Sequence, residues 1–264
     1  VRRPRPSTSP GKSPRRVDLL AFGQYVERGI VEAHGFSSPV WIDRAEHVLP
    51  VSAELRKLAV LAEPLSVAEK GINEAALLQA SRLDQAWDAV PPRVLVTGMG
   101  PIGFAAVACA RARNWPTTLL GRDAEDSFRV ATARRFGAAY VTAEDLPDDD
   151  AADHDDDRFD LILECTGDDR VISGALPALA SCGAMVWLGS SRNPAPRTHN
   201  LDALVRNAVL RNHLLLGSVN AAPRDFHAAI RCLEHWQARD AEAIASLITT
   251  RVPPDEALWH FANR

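Results

Sequence analysis

The stretch RVLVTGMGPIGFAAVACARA, residues 93–112, decides the fold. It starts with the run Val94–Thr97, which has no polar alternation and therefore indicates a strand buried on both faces. The glycine pattern G-x-G-x-x-G follows at once, and a helix with small apolar residues on one face comes next. This order is typical of the first unit of a doubly wound α/β domain, the Rossmann fold, which binds dinucleotides.

Each residue of the glycine loop has a physical reason. Gly98 permits the tight turn, Gly100 lets the backbone approach a diphosphate, and Gly103 allows the helix to pack closely. The helix starts at Pro101 and Ile102, where free N–H groups and the helix dipole favour negative charge. We therefore predict that these five residues bind the diphosphate of a nicotinamide dinucleotide.

The end of the next strand, TTLL (residues 117–120), distinguishes NAD from NADP. In this fold a carboxylate there binds the ribose 2′-hydroxyl, whereas an arginine accepts a 2′-phosphate. Gly121 leaves room and Arg122 supplies positive charge, so the sequence favours NADP. Asp123 keeps NAD open, and Arg122 is alternatively an exposed loop arginine.

Further apolar runs predict the remaining strands of a parallel sheet. They are TTLLG, DLILECTG, AMVWLGS and LLLGSVN, which begin at residues 117, 160, 184 and 214. The carboxyl ends of parallel strands meet at one edge, where ligands bind. We therefore expect Thr166, Gly167, Leu188 and Asn220 at the cofactor site. Asn220 is either a contact for the nicotinamide amide or a turn residue.

Outside this domain the patterns are weaker. PVWI (residues 39–42) and HVLPV (residues 47–51) predict strands of a small β-rich unit. LSVAEKGINEAALLQA (residues 65–80) and residues 225–238 have apolar residues at helical spacing and predict helices. Residues 143–160 carry a dense acidic run, which favours a solvated surface loop.

Composition limits the partners. The 264 residues are 46% hydrophobic, with a formal charge of -4 and a pI of about 6.1. Nothing in this balance favours nucleic acid or an anionic membrane as a partner. Apolar runs of membrane-spanning length and a secretory signal are both lacking, so we expect a cytoplasmic protein. The four cysteines are widely spaced and predict free thiols, mostly buried.

Several motifs together resemble one enzyme family. They are GQYVERGI, EPLSVAEK, LLGRD, LECTG and GSVNA, which begin at residues 23, 63, 119, 163 and 217. Over nearly all of residues 24–263 the chain is similar to the glucose dehydrogenase branch of the zinc-dependent medium-chain dehydrogenases. EPLSVAEK and GSVNA in combination are specific to that branch.

The resemblance implies an activity and two catalytic carboxylates. The activity is oxidation of a glucose-like aldose to its lactone, or of an alcohol, with hydride transfer to NADP or NAD and a zinc ion holding the reacting hydroxyl. Glu63 matches a carboxylate at or beside the zinc, and Glu27 matches one that contacts the sugar. From the residues alone, Glu63 is a first-turn helix acid and Glu27 an exposed strand residue. The resemblance also implies a homo-oligomer.

The resemblance divides the chain into four parts. Residues 24–75 are a remnant of a GroES-like β-rich catalytic domain, residues 76–244 the NAD(P)-binding Rossmann domain, and residues 245–264 the return to the catalytic domain. Residues 1–23 are a disordered arm, or a segment translated in the wrong frame between about residues 6 and 22. The family's cysteine and its histidine or glutamate zinc ligands precede the segment that matches this chain.

The zinc ligands leave alternatives open. Glu63 alone cannot hold a zinc ion, which needs at least three protein ligands, so the sequence leaves open whether this chain binds zinc. A dinucleotide-binding sensor without turnover is therefore the alternative to an enzyme. A zinc-free quinone or enal reductase of the same superfamily is a third interpretation.

Overall fold

The computed structural model describes residues 2–4, 25–85, 87–146, 157–191, 198 and 200–262. Most of the predicted arm and the centre of the acidic run lie outside the described residues. The strands are β1 (Arg2–Pro4), β2 (Tyr25–Arg28), β3 (Glu32–Ala33), β4 (Val94–Thr97), β5 (Thr117–Leu120), β6 (Ala139–Val141), β7 (Phe159–Glu164), β8 (Leu179–Trp187) and β9 (Leu214–Gly217). The α-helices are α1 (Ala62–Gln79), α2 (Pro101–Ala112), α3 (Phe128–Arg135), α4 (Asp169–Ala175), α5 (Leu201–Leu210), α6 (Pro223–Arg239), α7 (Ala241–Ala245) and α8 (Ala257–Ala262).

Six parallel strands form the main sheet in the order β6-β5-β4-β7-β8-β9. Numbered from β4, this is the order 3-2-1-4-5-6 of a doubly wound domain, so the predicted fold class is confirmed. The order reverses between β4 and β7. Ligands of such sheets bind outside the carboxyl ends of the strands at this reversal.

The sheet is buried on both faces, as the unbroken apolar runs predict. Val94 and Val96 of β4 pack with the core under α1, α2 and α6, while Leu95 packs into a second core on the opposite face. Both neighbours of β4 have the same alternation, so β4 is fully enclosed. This burial fixes the register of the strand that leads into the glycine loop.

The predicted helices at residues 65–80 and 225–238 are confirmed as α1 and α6. These two helices pack against each other and against α2, which opens after the glycine loop. Helix α1 crosses the predicted domain boundary after residue 75. Buried residues of α1 on the N-terminal side of this boundary, such as Leu65 and Ile72, join the core beside the main sheet, while the boundary itself stays a prediction.

The strands predicted from PVWI and HVLPV are wrong. Residues 40–44 have no regular structure, and residues 45–47 form a single 3₁₀ turn. The carboxylate of Asp43 accepts bonds from Arg28 Nε at 2.8 Å, His47 Nδ1 at 3.0 Å and the Arg44 N–H at 2.8 Å. One backbone group, the N–H of Arg44, is thus used in a local bond and not in strand pairing. The small sheet that does form consists of β1, β2 and β3.

Two expectations from composition can also be compared with the structure. All four cysteines are free thiols, as predicted, but only Cys109 and Cys232 are buried, while Cys165 and Cys182 are half-buried. No helix among the described residues combines the length and the hydropathy needed to cross a bilayer.

Candidate dinucleotide site

The glycine loop joins β4 to α2, and its three glycines meet different surroundings. Gly98 has a φ of +90°, and a Cβ there would lie 2.6 Å from Cγ2 of Thr166. A Cβ on Gly103 would lie 1.8 Å from the carbonyl oxygen of Gly98, so packing requires both glycines. Gly100 differs, because nothing lies within 4 Å of the position that its Cβ would take. The backbone at Gly100 is thus open to a ligand at the start of α2, which begins with Pro101.

A cavity of about 610 Å³ adjoins this loop. Gly100, Pro101 and Phe104 form one side of the cavity, and Arg129 of α3 contributes to it. Pro64 at the start of α1 also lines it. The remaining lining residues are Leu61, Leu65, Met99, Ala105, Phe128, Thr132, Ser246, Leu247, Thr249, Thr250, Val252, Ala257 and His260. The cavity therefore joins the glycine loop to α1 and to the segment after α7.

At the end of β5, Gly121 is tightly enclosed. A Cβ there would lie 2.3 Å from Sδ of Met99 and 2.9 Å from Cε2 of Tyr140, so a side chain at this position would displace both. The hydroxyl of Tyr140 donates to the carbonyl of Asp123 at 2.6 Å, which fixes the turn. Arg122 between them is exposed.

The charge of Asp123 is partly compensated. Arg129 Nη1 lies 3.6 Å from its carboxylate Oδ2. Asp123, the carboxylate that leaves NAD as an alternative cofactor, is thus paired with a guanidinium of the next helix. This pairing weakens the repulsion that Asp123 would exert on a 2′-phosphate at Arg122.

Glu164, at the end of β7, is a residue that sequence analysis missed. Its fully buried carboxylate accepts hydrogen bonds from the Thr97 hydroxyl at 3.1 Å and from the N–H of Thr166 at 2.7 Å. The N–H of Gly167 also donates to it, at 3.1 Å. Gly167 has a φ of +66°, and a Cβ there would lie 2.6 Å from the backbone of Ser190. The only signal in the sequence was an acid closing the otherwise apolar end of DLILE.

Asn220 and Leu188 lie where β9 and β8 end, at the same edge. Asn220 is buried and has a φ of +76°. Its side-chain Oδ1 accepts a bond from the hydroxyl of Tyr25 at 3.5 Å, while no described residue hydrogen-bonds its Nδ2. Leu188 packs on the main core, and its Cδ2 would lie 2.9 Å from a Cβ on Gly71 of α1. No motif or periodicity indicates that Tyr25 reaches this edge.

The two predicted catalytic carboxylates lie on segments that approach the site. Glu63 is in the first turn of α1, immediately before Pro64 of the cavity lining. Glu27 lies on β2, two residues after Tyr25, and its N–H donates to the Val31 carbonyl at 2.9 Å. The proposed roles of both carboxylates stay predictions.

Among the described residues, one group of three side chains has ligand atoms close enough for a metal ion. It consists of Glu69, Cys109 and Cys232, with ligand atoms within 4.8 Å of one another. However, the Glu69 carboxylate already accepts bonds from both terminal nitrogens of Arg113, at 3.0 and 2.5 Å. Burial raises the pKa of the Cys109 thiol well above its ordinary value. A cation would have to displace two thiol protons beside a guanidinium, so this group fits packing better than a metal ion.

Glu69, Cys109 and Cys232 do not form the catalytic zinc site that the resemblance implies. The group does not contain Glu63, and a catalytic zinc needs three protein ligands with one open position. The described residues around Glu63 do not form such a set.

The chain is similar to several glucose dehydrogenases. The family model described as "Glucose dehydrogenase C-terminus" matches residues 56–264. Glucose 1-dehydrogenase 1 of Caldivirga maquilingensis is 34% identical over 239 residues, covering 90% of this chain and 65% of the relative. The glucose 1-dehydrogenase of Halobacterium salinarum is 36% identical over 244 residues, covering 89% and 66%.

A solved structure agrees with these relatives. The Haloferax mediterranei glucose dehydrogenase in complex with NADP, Zn and gluconolactone is 28% identical, with a TM-score of 0.72. The match covers 89% of this chain and 65% of that chain. The chain thus spans about 65% of the length of the relatives it matches.

Proposed function

Because the chain belongs to the glucose dehydrogenase family, we propose that it carries the nicotinamide-binding part of an enzyme that oxidises a glucose-like aldose to its lactone. The observation that carries the proposal is the open backbone of Gly100 between two glycines that packing requires. The relatives named glucose 1-dehydrogenase and the Haloferax complex with gluconolactone support the substrate class.

The start of α2 is proposed to hold the diphosphate. The helix N-terminus offers N–H donors and the positive end of the dipole, and the missing side chain at Gly100 lets phosphate oxygens approach. Pro101 and Ile102 begin the helix, and Pro101 lines the adjoining cavity. A bound dinucleotide would supply the nicotinamide ring that accepts the hydride.

NADP is the proposed cofactor, with NAD as the alternative. Arg122 is exposed beside the crowded Gly121, so its guanidinium is available to a 2′-phosphate. Arg129, 3.6 Å from Asp123, lowers the local negative charge. The NADP of the Haloferax complex agrees with this choice.

At the other end of the dinucleotide, the carboxyl ends of β7, β8 and β9 are proposed to surround the nicotinamide. Thr166 and Gly167 are held by Glu164, and Leu188 and Asn220 follow along the same edge. Glu27 is proposed to hydrogen-bond sugar hydroxyls. Glu63 is proposed to lie close to the reacting hydroxyl.

A homo-oligomer is also part of the proposal. Strand β9 closes the described sheet and pairs there only with β8, so one of its edges is available for pairing. Helix α5, which precedes it, exposes the apolar residues Leu201, Val205, Val209 and Leu210. A second copy would bury both features. Light scattering tests this: Val209→Glu is expected to lower the molar mass, whereas Val60→Glu, at another exposed position, should leave it unchanged.

The test of the function separates binding from turnover. The purified chain is titrated with NADPH and NADH, and reduction of NADP is then followed with several aldoses, with and without added zinc. Tight binding with turnover supports the full proposal. Binding without turnover confines the proposal to the cofactor part and favours the sensor hypothesis, which the named relatives do not support. Absence of binding for both dinucleotides refutes the proposal.

A further inference from the structure

Asn220 has a hydrogen-bond donor that the described protein does not use. Its side chain is 4% exposed, and no described residue accepts a bond from Nδ2. Buried polar groups in folded proteins almost always have a partner, because losing water without replacement is costly. A donor of this kind at the carboxyl edge of the sheet points to an acceptor supplied by a ligand.

Tyr25 faces the oxygen end of the Asn220 amide. The tyrosine hydroxyl, itself buried, donates to Oδ1 of Asn220 at 3.5 Å. A donor facing the oxygen end of an amide leaves the NH₂ end pointing away from it. Tyr25 lies on β2, far from Asn220 in sequence, so the small N-terminal sheet contributes directly to the cofactor edge.

Lys70 anchors the backbone peptide unit that leads into Asn220. Its buried ammonium donates to the carbonyl of Val219 at 2.7 Å and lies 3.9 Å from Glu74 of the same helix. The Val219 carbonyl belongs to the peptide unit whose N–H is that of Asn220. Anchoring this unit helps to hold Asn220 at a φ of +76°, a conformation that non-glycine residues rarely adopt.

We infer that Tyr25 and Lys70 are positioning residues that aim the Asn220 amide N–H at an uncharged oxygen acceptor of the bound ligand. Two acceptors share this chemistry: the carboxamide oxygen of the nicotinamide and a hydroxyl of the sugar. In this proposal Tyr25 and Lys70 act through Asn220. The inference rests on the proposed function, since it presupposes a dinucleotide along this edge.

The test compares two nucleotides on the same protein samples. NADPH and 2′-phospho-ADP-ribose share the diphosphate and the phosphorylated ribose, but only NADPH carries nicotinamide. If the acceptor is the carboxamide, Tyr25→Phe and Lys70→Met each weaken NADPH binding by roughly five-fold, the worth of one neutral hydrogen bond, and leave 2′-phospho-ADP-ribose unchanged. Asn220→Gly keeps the positive φ and should weaken NADPH by about ten-fold.

A third titration identifies the sugar as the acceptor. Glucose is added to each protein–NADPH complex, and its affinity is read from the change in NADPH fluorescence. Weakened glucose binding at unchanged NADPH affinity supports the inference with the sugar as acceptor. Equal affinities for wild type and variants in all three titrations overturn it.

The control variant is Tyr140→Phe, which removes the other tyrosine hydroxyl, at the Asp123 end of the site. It is expected to change the affinities for the two nucleotides by the same factor. If Tyr25→Phe and Lys70→Met also weaken both nucleotides equally, their role is only structural and the inference is wrong. Failure of the wild-type protein to bind either nucleotide would instead refute the proposed function.

Discussion

Substitution of Gly100 by alanine is expected to separate cofactor binding from folding. The residue has a φ of -87° and a ψ of -177°, which alanine adopts without strain, and its Cβ would meet nothing within 4 Å. Alanine is a poorer N-cap than glycine, but it also reduces the freedom of the unfolded chain; each effect is worth about 0.5–1 kcal/mol and they have opposite signs. The midpoint of thermal unfolding should therefore move by less than about 4 °C.

Binding of the dinucleotide should respond much more strongly. The added methyl group would stand in the space through which diphosphate oxygens approach the start of α2. Losing one hydrogen bond to a charged oxygen costs about 1.5–3 kcal/mol, which corresponds to a roughly ten- to hundred-fold weaker NADPH complex. Isothermal titration of NADPH into Gly100→Ala and wild type measures this difference.

Two further glycine variants are the controls. Gly174 lies in α4 with open space around it, so Gly174→Ala should raise the unfolding free energy by about 0.5–1 kcal/mol and leave binding unchanged. Gly103→Ala places a Cβ 1.8 Å from the Gly98 carbonyl and is expected to prevent stable folding. If Gly100→Ala is folded and binds NADPH as tightly as wild type, the assignment of the diphosphate to this loop is refuted.

Three other changes have defined outcomes. Arg122→Ser should weaken NADPH binding by about ten-fold and NADH binding little; equal losses for both would exclude a 2′-phosphate contact. Arg113→Met leaves the buried carboxylate of Glu69 without its guanidinium and should lower the unfolding free energy, measured with urea, by about 3–5 kcal/mol. The double variant Glu69→Leu, Arg113→Met should restore much of this loss. A hydrogen bond from Arg135 lowers the pKa of Asp240, so its stabilisation is present above pH 4 or so and is lost as the pH falls. Asp240→Asn should therefore reduce the dependence of the unfolding free energy on pH in the acid range. An unchanged dependence would contradict this.

The sheet could be predicted because its signals are local. The runs that became β4, β5, β7, β8 and β9 are continuous and apolar, and such runs can be buried on both faces only between layers of helices. Strand β6 was not predicted, since three residues are too short to show a period. PVWI has the composition of a strand, but the carboxylate of Asp43 organises the neighbouring chain through its own hydrogen bonds.

The site was predictable only where a motif carries it. The glycine loop follows from the spacing of its residues, whereas the partners of Asn220 depend on contacts between distant parts of the chain. Tyr25 and Asn220 are separated by 195 residues, and Lys70 and Val219 by 149. No periodicity or propensity encodes such pairs, because they arise from the way that α1 and β2 dock on the finished sheet.

The buried carboxylate of Glu164 links the two ends of the site. A buried charge is costly unless donors surround it, and here the donors come from Thr97 before the glycine loop and from Thr166 and Gly167 after β7. Thr166 in turn occupies the space beside Gly98, so the position of one loop determines the position of the other. The protein therefore orders both loops with its own acceptor. A dinucleotide meets a backbone that is already arranged, and its binding energy need not be spent on ordering these loops.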